Sequence, residues 1–228
     1  FRSGYDNGIT PRNNLGEPNY RFNWQTPLWL SKHNQDILYF GSNHFHRSMN
    51  KGNDMKTLSA DLTAADKKGD VPFNTITTIH ESPIRFGLIY CGTDDGRVWV
   101  SKDAGYTFDR IDNGLPQGIY ISRVQASAHS EGRVFVTLNG CRSDHFRPYV
   151  FVSDDYGKSW KSLAAQLPYE PVNVIREDPS NPDILFIGTD NGLYTSLDRG
   201  QHWMTMNGNL PRVRSEEHTS ELQSPCNL

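Results

Sequence analysis

One short spelling recurs along the chain and constrains the fold more than any other feature. Ser101-Lys-Asp103-Ala-Gly105-Tyr-Thr-Phe108, Ser153-Asp-Asp155-Tyr-Gly157-Lys-Ser-Trp160 and Ser196-Leu-Asp198-Arg-Gly200-Gln-His-Trp203 share serine, aspartate, glycine and a terminal aromatic. A degenerate copy runs from Ser48 through Asn50 and Gly52 to Met55. The serines stand 53, 52 and 43 residues apart, which is the period of one four-stranded supersecondary unit that cannot bury its apolar face alone. The aspartate suits acceptance of backbone N–H groups in its own turn, the glycine a positive φ, and the aromatic the start of a strand with a large area to bury.

The rest of each unit recurs too. Alternating apolar runs, rich in residues that favour a pleated buried surface, precede the box. Two units contain Gly92-Thr93-Asp94-Asp95-Gly96 and Gly188-Thr189-Asp190-Asn191-Gly192. Asp-Gly and Asn-Gly between apolar runs read as two-residue hairpins of type I′, with both central residues at positive φ. Leu-Pro at 115–116, 167–168 and 210–211 stops the outer strand, because proline donates no ladder bond.

The expected fold is therefore all-β: a β-propeller fragment of about four four-stranded blades joined through these hairpins. The blades are expected at 22–70, 71–118, 119–169 and 170–213. Their innermost strands are read at Trp24–Ser31, Thr75–Ser82, Tyr120–Ser127 and Pro171–Asp178. Residues 1–21 form a leader rich in Gly, Asn and Pro, and 63–69 a polar insertion read as a loop with room for one helical turn. Residues 214–224, RSEEHTSELQS, break the repeat and resemble a translated sequencing adapter, so 214–228 is expected to be a non-native tail.

Composition removes several function classes. The formal charge is −3 and no basic stripe appears, so nucleic acid is not an expected partner. No run approaches the roughly twenty apolar residues that span a bilayer. Cys91 in a predicted strand and Cys141 in a predicted loop have neither disulfide-framework nor metal-site spacing, and both are read as thiols. Asp94, Asp95 and Asp190 are read as turn formers without calcium-loop spacing. No metal and no cofactor is expected. The box aspartates are structural, since the repeat disperses them around the molecule.

The Ser-x-Asp-x-Gly-x-x-Trp spelling resembles the Asp-box, or BNR, repeat of sialidases, xyloglucan-cleaving glycosidases and the sortilin/VPS10 propeller. Tyr20–Trp24, Gly92–Gly96, Ser122–Val124 and Asn173–Asp178 extend the likeness to large sortilin-like or BNR-repeat glycosyl-hydrolase-like proteins. The resemblance implies a propeller and an extracytoplasmic location. It transfers no catalytic residue, because the arginine-bearing motif of sialidases is absent and a xyloglucanase cleft lies between two propellers. The sortilin receptor's cysteine-rich module is absent as well.

Aligning the inner strands on Ser31, Ser82, Ser127 and Asp178 places Trp29, His80, Gln125 and Arg176 in one column, with uniformly apolar Leu28, Ile79, Val124 and Ile175 beside it. A hydrogen-bonding, partly aromatic column on innermost strands is what a small polar ligand or glycan needs, and Arg123 can join it. The alternative is that these side chains only plug the channel. Two functions follow: a non-catalytic scaffold binding protein, peptide or glycan, and part of a xyloglucanase- or sialidase-like glycoside hydrolase whose catalytic carboxylates lie outside this fragment; in either case missing blades of the same polypeptide are expected partners of the four read here.

Overall fold

The computed structural model describes residues 8–66 and 72–206. Its four antiparallel sheets each have four strands in chain order. The first blade comprises β1 (Leu28–Leu30), β2 (Leu38–Gly41), β3 (Phe45–Ser48) and β4 (Lys56–Thr57). The second comprises β5 (Ile76–Glu81), β6 (Ile89–Thr93), β7 (Val98–Ser101) and β8 (Asp109–Arg110). The third comprises β9 (Tyr120–Ala126), β10 (Val134–Gly140), β11 (His145–Ser153) and β12 (Lys161–Ser162). The fourth comprises β13 (Val172–Glu177), β14 (Leu185–Thr189), β15 (Leu193–Ser196) and β16 (Met204–Thr205). A 3-10 turn at Cys141–Ser143 is the one helical segment among the described residues. The arrangement is that of four blades of a β-propeller.

Register repeats as faithfully as sequence. In every blade the box serine faces the first residue of the second strand: Ser48 opposite Leu38, Ser101 opposite Ile89, Ser153 opposite Val134 and Ser196 opposite Leu185. A one-residue slip would turn each apolar set to the wrong face.

The core lies between blades. Tyr39 and Phe45 of the first blade pack with Ile76, Ile79 and Cys91 of the second. Leu88, Tyr90 and Val98 of the second pack with Ile121 and Val124 of the third. Phe135, Val150 and Leu163 of the third pack with Ile175 and Leu185 of the fourth. Each such side chain contributes about 1.5–3 kcal/mol when fully buried, so a blade draws its stability from its neighbours. Cys91 is a free, fully buried thiol whose pKa is pushed up by burial. Cys141, expected as a thiol, is disulfide-bonded.

Two local expectations are corrected. The first inner strand is three residues long, because Asn23 to Thr26 form a turn in which Thr26 Oγ1 donates to the Asn23 carbonyl and Gln25 N–H to Asn23 Oδ1. The Asp-Gly and Asn-Gly hairpins are not type I′. Gly96 has φ +88° while Asp95 does not share it, and Gly192 is not in the positive region. A threonine hydroxyl closes both turns instead: Thr93 Oγ1 accepts from Arg97 N–H, and Thr189 Oγ1 from Gly192 N–H.

Consecutive positive φ angles occur at the box corners, at Ala104 and Gly105 (63° and 93°), Tyr156 and Gly157 (64° and 89°), and Arg199 and Gly200 (62° and 84°). Inside each corner the serine hydroxyl accepts the glycine N–H at 2.8 Å and donates to the aspartate. The aspartate then accepts both the backbone N–H and the side chain of the residue four places on, Thr107, Ser159 or His202. In the degenerate copy the acid has moved to that last place. Ser48 donates to Asp54, whose Oδ1 also accepts from the backbone of Met49 and Asn50.

The boxes also hold blades together. A Cβ on Gly105 would lie 2.3 Å from the Phe45 ring, and one on Gly157 2.4 Å from Ile111 Cδ1, both on the preceding blade. Trp160 Nε1 donates to the Ile111 carbonyl at 2.7 Å, and Trp203 Nε1 to the Leu163 carbonyl at 2.8 Å. The residues 64–66 of the expected insertion carry no helix. The segments 67–71 and 207–228, including Leu210-Pro211 and the tail, lie outside the described residues.

Candidate ligand site on the inner strands

Strand pairing supports the column read from sequence. Trp29, His80, Gln125 and Arg176 each face an aromatic residue of the adjacent strand: Tyr39, Tyr90, Phe135 and Phe186. Directly opposed residues of an antiparallel pair share a sheet face, so all four project from the same face of their blades. The aromatic column behind them was missed in the sequence, although its spacing from the box serines is regular.

The four residues form two contacting pairs. The Trp29 and His80 rings lie 4.5 Å apart between centroids. Arg176 Nη1 donates to Gln125 Oε1. Electrostatics join the pairs: burial holds the His80 imidazole well below its ordinary pKa, assisted by the charges of Arg176, Lys32 and Arg123. His80 is therefore neutral at physiological pH, and its Nδ1 accepts the Ala126 N–H at 3.2 Å.

Arg123, on β9, is pulled down to about 10 by burial, and Arg176 to about 10 by burial and then by the like charge of Arg123. Two guanidinium groups thus share a partly desolvated neighbourhood with an indole and a neutral imidazole. The Trp29 Nε1–H is buried without a hydrogen-bond partner among the described residues. Chemically, the set offers planar donors, positive charge and an aromatic face, suited to a carboxylate, a sugar hydroxyl or a peptide carbonyl. His80 is only 2 % exposed, so it shapes the site from behind, whereas Trp29, Gln125 and Arg176 are half-buried.

The box residues lie apart from this set, each within its own corner. Tyr106 and Tyr156, within the boxes, bridge neighbouring blades: the Arg47 guanidinium sits 4.8 Å over the Tyr106 ring, and Lys102 Nζ 4.7 Å over Tyr156. Among the described residues no group of three or more His, Cys, Asp or Glu side chains could hold a metal ion.

Sequence reading also missed a polar latch beside the column. Glu81 accepts the hydroxyls of Ser31 at 2.6 Å and Tyr39 at 2.7 Å, both on the preceding blade. Glu177 likewise accepts from Ser127 Oγ at 2.7 Å and from Ala128 N–H at 2.8 Å. His33 and His129 each reach the backbone carbonyl that follows the glutamate, those of Ser82 and Asp178, at 2.8 Å. The legible signal was Ser-x-His followed by Glu-x-Pro, recurring at a constant offset.

The pattern described as the BNR-Asp box repeat matches residues 150–163. Vacuolar protein sorting/targeting protein 10 of Colletotrichum graminicola is 25% identical over 140 residues, 57% of this chain and 9% of that protein. An uncharacterized membrane glycoprotein of Saccharomyces cerevisiae is 30% identical over 70 residues, 31% of this chain and 14% of that protein. Among solved structures, an ancestral GH74 enzyme superposes with a TM-score of 0.65 at 16% identity, over 85% of this chain and 25% of its own. The GH74 xyloglucanase from Xanthomonas campestris superposes with a TM-score of 0.62 at 19% identity, over 80% and 30%. The chain spans less than a third of the length of each. These likenesses agree with the corner geometry: the chain is built of BNR, or Asp-box, repeats and has the fold of a BNR-repeat propeller.

Proposed function

We propose that this Asp-box propeller is a binding scaffold that takes a peptide, protein or glycan at the inner edge of its blades, through Trp29, Gln125, Arg123 and Arg176 with His80 behind them. The observation that carries the reading is geometric: on the innermost strands the Trp29 indole packs against the His80 imidazole and Arg176 is hydrogen-bonded to Gln125, a polar and aromatic set where packing alone would place apolar residues. A ligand that brings an anionic or strongly accepting group can take a charge-assisted hydrogen bond from a guanidinium of this set. The sorting/targeting name of the fungal relative and the glycan-acting GH74 neighbours are both compatible with such a face. An extracytoplasmic location belongs to the same proposal and is supported by the membrane-glycoprotein relative. No helix among the described residues is long and apolar enough to cross a membrane.

The test is calorimetric titration with xyloglucan oligosaccharides and with peptides ending in a free carboxylate. Arg176→Ala and Gln125→Ala, at half-buried positions, should weaken binding about ten- to a hundredfold, as expected for loss of a charge-assisted bond of about 1.5–3 kcal/mol, without moving the melting temperature. Unchanged affinity would remove the proposal. His80→Ala is a poorer probe, since it also strips the Ala126 N–H of its acceptor. The GH74 fold favours a second reading, part of a glycoside hydrolase. Turnover of xyloglucan by the protein, lost on substitution of a carboxylate, would establish that one instead.

A further inference from the structure

The described residues contain three Asn-Gly pairs, at 113–114, 139–140 and 191–192. Asparagine is chemically labile, and most so before glycine, which has no Cβ to keep the side-chain amide carbon away from the following backbone nitrogen. Attack by that nitrogen needs a side-chain amide that can turn and an N–H not committed to another acceptor. The fold withholds one of these at two of the pairs and leaves both at the third.

Asn139 lies inside β10 and is 5% exposed. Its Nδ2 donates to Asn173 Oδ1 at 2.6 Å and its Oδ1 accepts the Cys141 N–H at 2.9 Å, so the side chain is held at both ends. Asn191 is exposed, but the Gly192 N–H donates to Thr189 Oγ1 at 3.1 Å, and the N–H of Asn191 itself reaches the same oxygen at 3.3 Å. There the attacking nitrogen is engaged.

Asn113 and Gly114 are the exposed tip of a turn on the connection from blade two to blade three. The flanks of this turn are fixed. Leu115 N–H closes it on the Asp112 carbonyl at 3.1 Å, Arg110 donates to both Asp112 carboxylate oxygens at 2.6 and 2.7 Å, and Gln117 Nε2 donates to the carbonyls of Asp112 and Leu115. The tip is not. Among the described residues neither the Asn113 side chain nor the Gly114 N–H has a hydrogen-bond partner. Gly114 has nothing within 4 Å of the place of a Cβ, so the Asn113 side chain has room to fold back onto the next nitrogen.

We propose that Asn113 is a site of spontaneous deamidation and isomerisation, and that the isomerised form loosens the joint between blades two and three. The Gly114 nitrogen bonds to Asn113 Cγ, the Cγ–Nδ2 bond breaks, and ammonia leaves with the proton that Gly114 gives up. Water then opens the cyclic imide. Addition at Cγ breaks the new bond and leaves aspartate; addition at the main-chain carbonyl breaks the original peptide bond and leaves isoaspartate, whose backbone runs through Cβ and Cγ. The extra backbone carbon falls between Ile111 and Leu115, which are 7% and 5% exposed and belong to the core shared by blades two and three. The Ile111 carbonyl also holds the Trp160 indole N–H of blade three. The inference is independent of the ligand site on the inner strands.

Incubation of the full 228-residue chain in warm, mildly alkaline buffer, followed by peptide mapping that separates asparaginyl, aspartyl and isoaspartyl forms, tests the proposal. In the folded chain Asn113 should convert while Asn139 and Asn191 remain amides. In urea all three should convert at comparable rates, because the difference between them belongs to the fold. Protein carrying isoaspartate at position 113, isolated by ion exchange, should melt below Asn113→Asp, which gains the same charge without the rerouted backbone. Asn113→Gln should melt as wild type does and gain no acid at this position over the same incubation. Three results would each overturn the proposal: conversion of Asn139 or Asn191 in the folded chain as fast as Asn113, an Asn113 that converts only in urea, or equal melting of the isoaspartyl form and Asn113→Asp.

Discussion

At the residue scale, the box glycine answers to two constraints that can be separated. Gly157 and Gly114 both have φ near +90°, but a Cβ at 157 would collide with Ile111 whereas one at 114 meets nothing within 4 Å. Gly114→Ala should cost about 1 kcal/mol for the left-handed backbone alone. Gly157→Ala should cost about 1–3 kcal/mol more through overpacking of the blade joint. Urea unfolding of the two variants checks the difference. The displaced acid of the first box gives a second expectation. Asp54→Ala should lower the melting temperature, since Ser48 and two backbone N–H groups lose their acceptor, while Asn50→Ala should leave it nearly unchanged. The opposite order would show that the degenerate copy follows the ordinary spelling.

At the scale of elements, joints between blades carry the stability, and the latch makes two of them polar. Glu81 is 1% exposed, so Glu81→Ala leaves two hydroxyls and the Gly87 N–H without their carboxylate, a loss of about 2 kcal/mol or more. Ser31 and Glu81 should show a coupling energy of about 0.5–3 kcal/mol in a double-mutant cycle, as should Ser127 and Glu177. Ser31 and Glu177, in different joints, should add independently. Equal coupling for all three pairs would mean that the residues act through general destabilisation rather than through the latch. The box geometry belongs here as well: the two-residue positive-φ corner anticipated between the second and third strands is built between the third and fourth. There the glycine must also let the preceding blade approach.

At the scale of the whole molecule, acid should weaken the fold in two stages. Burial, and then the charge of His44, lower the His46 imidazole to about 3, and burial lowers His80 well below its ordinary range. The unfolded chain binds protons at these histidines below about 6.5 while the folded one does not, so stability falls as pH drops through that value. Each group contributes at most about 1.4 kcal/mol per pH unit until its folded pKa is reached. The box carboxylates act later. Asp155 and Asp198 are lowered to about 2, chiefly by hydrogen bonds from Ser159 and His202, so their contribution is present above about 4 and lost as pH falls toward 2. Urea midpoints from pH 8 to 3 should decline from near pH 6.5, and His46→Gln should flatten that early limb. A midpoint constant down to pH 4.5 would contradict the neutral, buried histidines.

The all-β class, the four repeats and the place of every box were legible in the residues, because a spelling imposed by turn geometry recurs wherever the turn does. The mixed column of Trp29, His80, Gln125 and Arg176 was legible for a related reason: packing alone leaves little cause for polar residues on an inner strand. Which groups touch was decided only by the tertiary structure. The Glu81 and Glu177 latches, the indole–imidazole contact and the shared neighbourhood of Arg123 and Arg176 all join residues about fifty positions apart on different blades. Local turn chemistry is written in a few adjacent residues, whereas contacts between blades depend on the angle at which whole sheets pack, and no single stretch of the chain encodes that angle.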